Sequence, residues 1–457
     1  MSDHKMTPVE LYASWGLGIV FALRMLGMFM VLPILTTYGI ELKGATETLT
    51  GIAIGIYGIS QAIFQIPIGF LSDRFGRKPL IISGLCLFII GSVVAALTQS
   101  IWGVILGRAL QGTGAIAAAV MALLSDLTRE QNYTKAMTFI GISFGLTFSI
   151  AIVLGPVITH MFGLQELFWI IAFLAVLAIL VTLFIVPSAS THVLNRESEL
   201  IKSDLRHVIT DGNLIKLNLS VLCLHILLIS SFITIPTQLI QIGFLAHEHW
   251  KVYLCTMLIA LAIATPLLIY AEIKRQMKNI FISCVGLMLG TEILFLATNN
   301  SMWILLTGLE LFLIGFNLME AMLPSLVSKA SNVGYKGTAM GVYTTSQCIG
   351  VAIGGGASGW ILGHIGPHGV FAFNISITLA WFWMSFRLHE PMYLSSLRFT
   401  LKSATINSPL AAYLKKKEGI FDVLIFPEEH SMYIKVDPKV IGRSEIEKLL
   451  SSKICRD

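Results

Sequence analysis

Long apolar runs constrain this chain more than any other feature of its sequence. Twelve runs, each bounded by charged residues, proline or glycine, are long enough to cross a bilayer at roughly 20 apolar residues per spanning helix. Of the 457 residues, 55% are hydrophobic and 12% are charged, whereas a soluble protein carries about 25% charged residues. The sequence therefore predicts an all-α polytopic membrane protein and excludes a soluble enzyme.

The runs divide into two sets of six, and a more polar segment follows them. The longest polar gap between runs lies near the middle of the chain. We predict an N-terminal six-helix bundle at 1–187, a cytoplasmic linker at 188–213, a C-terminal six-helix bundle at 214–388 and a small cytoplasmic domain at 389–457. Polytopic proteins built from two such halves place their binding site between the halves.

The charges of the loops predict the orientation of the chain. Lysine and arginine cluster in the loops on one side of the runs, whereas the other side carries only Lys43 and Lys251. Basic loops stay in the cytoplasm. We therefore expect a bacterial inner (cytoplasmic) membrane protein whose two termini both lie in the cytoplasm.

The densest cluster of charge and glycine is the run GFLSDRFGRK between the second and third apolar runs. Glycine permits close helix contact and tight turns, and Asp73 and Arg77 can pair if the helix continues that far. The tendency of basic loops to stay in the cytoplasm explains the basic residues of this run, but it does not explain an acidic residue there. The residues singled out here are Gly69, Asp73, Arg74, Gly76, Arg77 and Lys78.

This run resembles motif A of the major facilitator superfamily, a family of secondary transporters. LGRALQGTGA at 106–115 resembles motif B of that family through Arg108 and Gln111. GISFGLTFSIAIVLGP resembles the antiporter-associated motif C through Gly145, Gly155 and Pro156. Ile158 and Thr159 stand where glycines are usual in motif C, which leaves the direction of transport open.

The resemblance covers essentially the whole chain and is greatest to members of the drug/proton antiporter type. It implies a twelve-helix major facilitator fold that works by alternating access. In that family, motif A is understood to lock the outward-open state by bridging the second and eleventh helices. Carried over, Asp73 would cap the start of the eleventh helix near 336–338, and Arg77 would pair with Asp126.

Ionisable residues inside the apolar runs are candidates for function, because a charge costs several kcal/mol there. A proton-coupled carrier needs a buried group that gains and loses a proton, and Glu320, Glu310 and His225 suit that role. Glu310, Asn317 and Glu320 share one helical face within about 80°. The alternative is that these residues only hydrogen-bond between helices.

Other polar residues in the runs are candidates for the wall of a substrate cavity. Arg24 and Arg108 stay charged, so they could attract an anion, act on a neighbouring carboxyl group or bond to carbonyls. The uncharged candidates are Tyr57, Gln61, Gln111, Asn317, Tyr343 and Gln347.

The tail resembles a ferredoxin-like domain of the heavy-metal-associated type. We predict a strand at 397–402, a helix at 408–419, two further strands, and a last helix opened by a capping box of Ser444 and Glu447. The cysteines are scattered and form no CxxC pair, so no metal site is predicted.

These features predict a secondary active transporter that exports amphipathic or drug-like small molecules in exchange for protons. The alternatives are a proton symporter or facilitator for a metabolite, and a transporter-like membrane sensor. No phosphate-binding loop of an ATP-driven pump occurs, and no catalytic motif indicates an enzyme. We expect no cofactor, no nucleic-acid partner, and a monomer whose tail docks a partner or self-associates.

Overall fold

A computed structural model describes residues 6–187, 205–298, 301–332, 335–390, 394–400, 413–415, 417–426, 431–437, 440–441 and 445–446. Over these residues the chain is mostly helical, with a small sheet near its C-terminus. The helices are α1 (Pro8–Met30), α2 (Leu32–Leu35), α3 (Glu47–Phe75), α4 (Arg77–Leu97), α5 (Ile101–Thr113), α6 (Ala117–Leu127), α7 (Glu130–Phe162), α8 (Leu164–Phe184), α9 (Leu205–Thr210), α10 (Gly212–Gln241), α11 (His249–Ile273), α12 (Met277–Leu296), α13 (Met302–Ala330), α14 (Lys336–His364) and α15 (Pro367–Ser385).

The helices correspond to the twelve apolar runs, although two runs are interrupted. The first run divides at Val31 into α1 and α2, and the fourth divides at Gly114 into α5 and α6. Ten described spans are long and apolar enough to cross a membrane. Glycine-rich α14 and the shorter α15 are not among those ten and are the eleventh and twelfth long helices of the described chain.

Side-chain caps fix where several helices begin. Thr7 and Glu10 form a capping box at α1, with Pro8 at its first position. Thr46 caps α3, and Asp211 accepts two backbone N–H groups at α10. The segment predicted as a linker, 188–213, contains α9 and the start of α10. Its first part, 188–204, lies outside the described residues.

Close glycine packing joins the two bundles along α3 and α14. A Cβ atom added at Gly51 would lie 2.5 Å from the carbonyl oxygen of Gly355, and one at Gly55 would lie 2.8 Å from that of Ala352. A Cβ atom at Gly58 would lie 2.5 Å from the oxygen of Cys348. Only glycine lets the two backbones approach this closely. The contact lies near the start of α3 and the later turns of α14, at the end of the molecule opposite Arg77 and Lys336.

The described part of the tail contains three antiparallel strands, β1 (Ser395–Thr400), β2 (Ile420–Phe426) and β3 (Ser431–Val436), in the order β1-β3-β2. A strand inserted between two others is the arrangement of a split β-α-β unit, as in ferredoxin-like domains. Only 413–415 of the predicted connecting helix is described, and it is helical. The capping box of Ser444 and Glu447 lies outside the described residues.

The tail domain contacts the C-terminal bundle through charged side chains. Lys435 Nζ donates to the backbone oxygens of Lys329, at 3.1 Å, and Ser331, at 2.9 Å, where α13 ends. Arg275 Nη2 lies 3.1 Å from Asp437 Oδ1. A cation at a helix C-terminus satisfies carbonyl groups that the helix leaves without partners.

Candidate functional site

A cavity of about 310 Å³ lies between the two bundles. Its wall includes Arg77 and Lys336 at one end, which we call the basic face, and Gln347 and Cys348 at its inner end. Most of the wall is apolar, and the polar residues are concentrated on α3 and α14. This combination suits a ligand with an apolar body and few polar groups.

Three predicted residues meet beside the inner end of this cavity, and one of them, Gln347, belongs to its wall. His225 Nε2 on α10 lies 3.8 Å from Glu320 Oε2 on α13. Gln347 Nε2 on α14 lies 2.7 Å from His225 Nε2 and 3.4 Å from Glu320 Oε1. Among the described residues, neither Glu320 Oε2 nor the nearby Tyr343 hydroxyl has a hydrogen-bond partner. In the described structure, this carboxylate oxygen and this hydroxyl therefore remain available for further hydrogen bonds.

The structure does not bring Glu310 to this cluster. Glu310 precedes Glu320 by ten residues on α13, or about 15 Å along the helix axis. Its Oε1 atom is buried without a partner in the described chain. Asn317 donates to the Leu313 carbonyl oxygen of its own helix at 2.8 Å. The predicted polar face of α13 therefore does not form one continuous cavity wall.

The polar residues of the N-terminal bundle form a second cluster. Arg108 Nη1 donates to Gln111 Oε1 at 2.9 Å, and Gln111 Nε2 donates to Ser92 Oγ at 2.8 Å. The Arg108 guanidinium carbon lies 4.5 Å from the ring centre of Tyr57. Arg24 is fully buried on α1, with its guanidinium carbon 5.8 Å from the ring centre of Phe88. Gln61 on α3 lines the cavity.

The motif A residues form an ion pair at the basic face. Arg77 Nε lies 3.3 Å from Asp126 Oδ2, the partner that the resemblance predicts, and both side chains are buried. Arg77 Nη1 also donates to Ser72 Oγ at 2.6 Å. Gly76 has a φ of 91°, a left-handed conformation that favours glycine.

The structure describes the contacts of some of the remaining motif A residues but not of all of them. Lys78 Nζ donates to the Leu183 and Val186 carbonyl oxygens near the end of α8. A Cβ atom at Gly69 would meet Ala118 at an ordinary 3.5 Å, so the expected close helix contact is not found there. The side chains of Asp73 and Arg74 lie outside the described ones, and the predicted cap of α14 by Asp73 stays a prediction.

Motif C contributes to packing between α1 and α7. A Cβ atom at Gly155 would lie 2.6 Å from the carbonyl oxygen of Met30, whereas one at Gly145 would meet nothing within 4 Å. Pro156 lies inside α7. Gly155 is therefore required by the close approach of two helices within one bundle.

Two further buried carboxylates lie outside the predicted site. Glu292 on α12 is fully buried, and its Oε2 accepts from Asn374 Nδ2 at 3.0 Å, while Asn374 Oδ1 accepts from Ser230 Oγ at 2.7 Å. Glu10 accepts from the Arg129 and Asn132 side chains and joins the starts of α1 and α7. The capping-box pattern from Thr7 to Glu10 was a usable signal for Glu10, but nothing local indicated the partners of Glu292.

No described group of three or more His, Cys, Asp or Glu side chains has the arrangement of a metal site.

Comparisons with known proteins show which family the chain resembles. Residues 17–355 match the model of the major facilitator superfamily, and 397–452 match that of the YajR YAM domain. The chain is 59% identical to the inner membrane transport protein YajR of Escherichia coli, covering 98% of this chain and 99% of that protein. It is 30% identical to the multidrug resistance protein MdtL of Escherichia fergusonii over 69% of this chain and 79% of that protein.

A solved structure of a mutant of the nucleoside transporter NupG has the same fold. Its TM-score is 0.64 at 13% sequence identity, over 82% of this chain and 99% of that one. The predicted fold class is thereby confirmed: two sets of membrane helices and a small α+β domain.

Proposed function

Because the chain belongs to the major facilitator superfamily, and is therefore a secondary membrane transporter rather than an enzyme, we propose that it exports amphipathic or drug-like small molecules in exchange for protons. The similarity to a multidrug resistance protein supports export of such compounds. The two bundles would alternate in opening the cavity to either side of the membrane.

The proposal that transport is coupled to protons is supported by the cluster of His225, Glu320 and Gln347 beside the inner end of the cavity. A carboxylate in an apolar site is costly to keep charged, so its protonation depends on what occupies the cavity. A proton on Glu320 removes that cost and changes the relative stability of the two open states. The Arg77–Asp126 ion pair at the basic face is proposed to set the starting balance, together with Asp73.

The chain is proposed to lie in the bacterial inner membrane with its basic face and both termini in the cytoplasm. The similarity to an inner membrane transport protein and the loop charges support this arrangement. On the same proposal, 1–187 and 214–388 are the two moving bundles, 188–213 connects them, and 389–457 is a cytoplasmic domain.

Transport in proteoliposomes tests this proposal. Purified protein is reconstituted with a trapped pH-sensitive dye, and cationic, neutral and anionic aromatic compounds are screened under an imposed pH gradient. We expect at least one compound to move protons out of the vesicles as it enters. Glu320→Gln should retain exchange of labelled for unlabelled compound but lose gradient-driven accumulation, because glutamine mimics a permanently protonated group.

The matched control is Glu248→Gln, which removes an acid paired with Lys251 away from the cavity and should transport normally. Proton movement in the same direction as the compound would instead indicate symport, and flux insensitive to the gradient would indicate a facilitator. Binding without any flux would indicate a sensor. Each of these results would contradict the export proposal.

A further inference from the structure

Two buried arginines of the N-terminal bundle, Arg24 and Arg108, lie outside the cluster of His225, Glu320 and Gln347. Arg24 is fully buried, and none of its three guanidinium nitrogens has a hydrogen-bond partner among the described residues. Arg108 is 1% exposed, and its Nε atom also lacks a partner there. Within the described chain, neither forms an ion pair with a carboxylate. A buried guanidinium without a counter-ion is a costly arrangement unless another group supplies the negative charge.

Aromatic rings near the two arginines compensate only part of this cost. Phe88 lies beside Arg24 and Tyr57 beside Arg108, at distances typical of cation–π contacts. Such contacts stabilise a cation much less than the loss of its hydration costs. The site therefore favours an anion from outside the protein.

Further hydrogen-bonding groups lie next to Arg108 and along α3. The Tyr57 ring centre lies 4.5 Å from the Arg108 guanidinium carbon, and the Tyr57 hydroxyl has no partner in the described part of the chain. Gln61 lies one turn further along α3. Two guanidinium groups, a phenol and an amide together provide the donors that a carboxylate, sulfonate or phosphate group requires.

This cluster adjoins the cavity between the bundles. Gln61 and Cys348 both belong to the cavity wall, and Gln61 lies one helical turn from Tyr57 on α3. The neighbouring wall carries Phe21, Met25 and Met121. Methionine and phenylalanine form an adaptable apolar surface. A ligand whose charged end met the arginines would therefore place its body against apolar side chains.

We propose that Arg24 and Arg108, with Tyr57 and Gln61, bind the anionic head group of an amphipathic substrate whose apolar body fills the cavity. This inference rests on the proposed transport function, whose substrate it restricts to organic anions. The head group belongs to a transported solute and not to a membrane phospholipid.

Binding of three probes with the same apolar body tests the proposal. The full-length protein in phosphatidylcholine nanodiscs is titrated with 2-naphthalenesulfonate, 2-naphthylmethylammonium and 2-naphthalenemethanol. We expect the sulfonate to bind at least about tenfold more tightly than the other two, because a charge-assisted hydrogen bond contributes about that factor. Arg24→Gln and Arg108→Gln should each weaken sulfonate binding about tenfold, whereas Lys251→Gln should not change it.

A second measurement does not depend on the arginine variants folding. In a chain whose other cysteines are replaced by serine, Cys348 is alkylated by a permeant maleimide. The sulfonate should slow this reaction, and the ammonium probe should not. Equal protection by both probes, or sulfonate binding that survives both arginine substitutions, would overturn the anion site.

Two further results separate this inference from the transport proposal. If phosphatidylglycerol in the nanodisc competes with the sulfonate, the head group is that of a lipid and the substrate assignment fails. Flux of the ammonium probe without flux of the sulfonate would support transport and contradict the anion site. Sulfonate binding without flux of any compound would support the site and contradict transport.

Discussion

Arg77, Glu320 and Arg24 are buried or mostly buried ionisable residues in three different environments. At the basic face, Arg77 is neutralised by Asp126. Beside the inner end of the cavity, Glu320 faces a histidine and an amide. In the N-terminal bundle, Arg24 has aromatic neighbours but no counter-ion among the described residues. Burying a charge costs free energy in all three places. One place is a structural ion pair, and the other two are the proposed proton site and the proposed anion site.

The ion pair between Arg77 and Asp126 predicts a strong effect of removing one charge. Asp126→Asn removes the carboxylate that lies 3.3 Å from the buried Arg77 side chain, and breaking a buried ion pair costs about 3–5 kcal/mol. We expect a clearly lower midpoint of thermal unfolding for the purified protein, followed by tryptophan fluorescence. The double variant Arg77→Gln/Asp126→Asn should recover part of the loss, because it removes both buried charges.

Lys251→Gln is the control for this experiment, since it disrupts an exposed ion pair and should leave the midpoint unchanged. A midpoint for Asp126→Asn equal to that of the wild-type chain would show that the buried pair does not contribute to stability.

At the scale of helices, small residues decide which elements meet. The glycines of α3 allow its backbone to touch that of α14, and Gly155 does the same for α7 and α1. Helix association in membranes depends on such close packing, because lipid removes the hydrophobic driving force between helices. The contact between α3 and α14 crosses from one bundle to the other, so it is sensitive to any motion of the bundles.

Gly51→Ala is expected to disfavour closure at the face opposite the basic one. Its Cβ atom would overlap backbone atoms of Gly355 and Gly359, which cannot move aside as a flexible side chain can. Distances between spin labels on the ends of α3 and α14 at that face should shift to longer values. Gly290→Ala is the matched control, because a Cβ atom there would meet nothing within 4 Å. Equal distance distributions in the two variants would contradict this prediction.

The contact of the tail with α13 predicts the effect of removing one lysine. Burial lowers the pKa of Lys435 below its usual value, yet the side chain holds two carbonyl groups at the end of α13. Lys435→Gln should increase amide hydrogen exchange in the last turn of α13 about tenfold or more, since hydrogen bonds from charged groups contribute about 1.5–3 kcal/mol. Lys415→Gln, which disrupts an ion pair within the tail, should leave that turn unchanged. Unchanged exchange in Lys435→Gln would mean that the tail is held by other contacts.

At the scale of the whole molecule, the cavity reaches the basic face, while glycine packing holds α3 and α14 together at the opposite face. An alternating-access transporter has a state in which its cavity is open at one face while the opposite face is closed, and the structure has this arrangement. The proposed orientation places the face to which the cavity opens, the basic face, on the cytoplasmic side of the membrane.

The orientation predicts different labelling from the two sides of the membrane. In a cysteine-free background, Met340→Cys places a thiol in the cavity wall, and Lys251→Cys places one on the opposite face. A membrane-impermeant thiol reagent should label Met340→Cys in inside-out vesicles and Lys251→Cys in intact cells. The reverse pattern would overturn the assignment of the basic face to the cytoplasm.

The sequence by itself determined the number of apolar runs, the fold class and the motif A residues, because hydropathy, loop charge and motif spacing are local properties. It also indicated Glu320, His225 and Gln347 individually. Only the tertiary structure decided that these three meet, that Glu310 lies apart from them and that Glu292 pairs with Asn374. The physical reason is that neighbours in a helical bundle are chosen by the rotation of each helix and by close contacts of small residues. Those are set by packing between segments far apart in the chain, which no local pattern records.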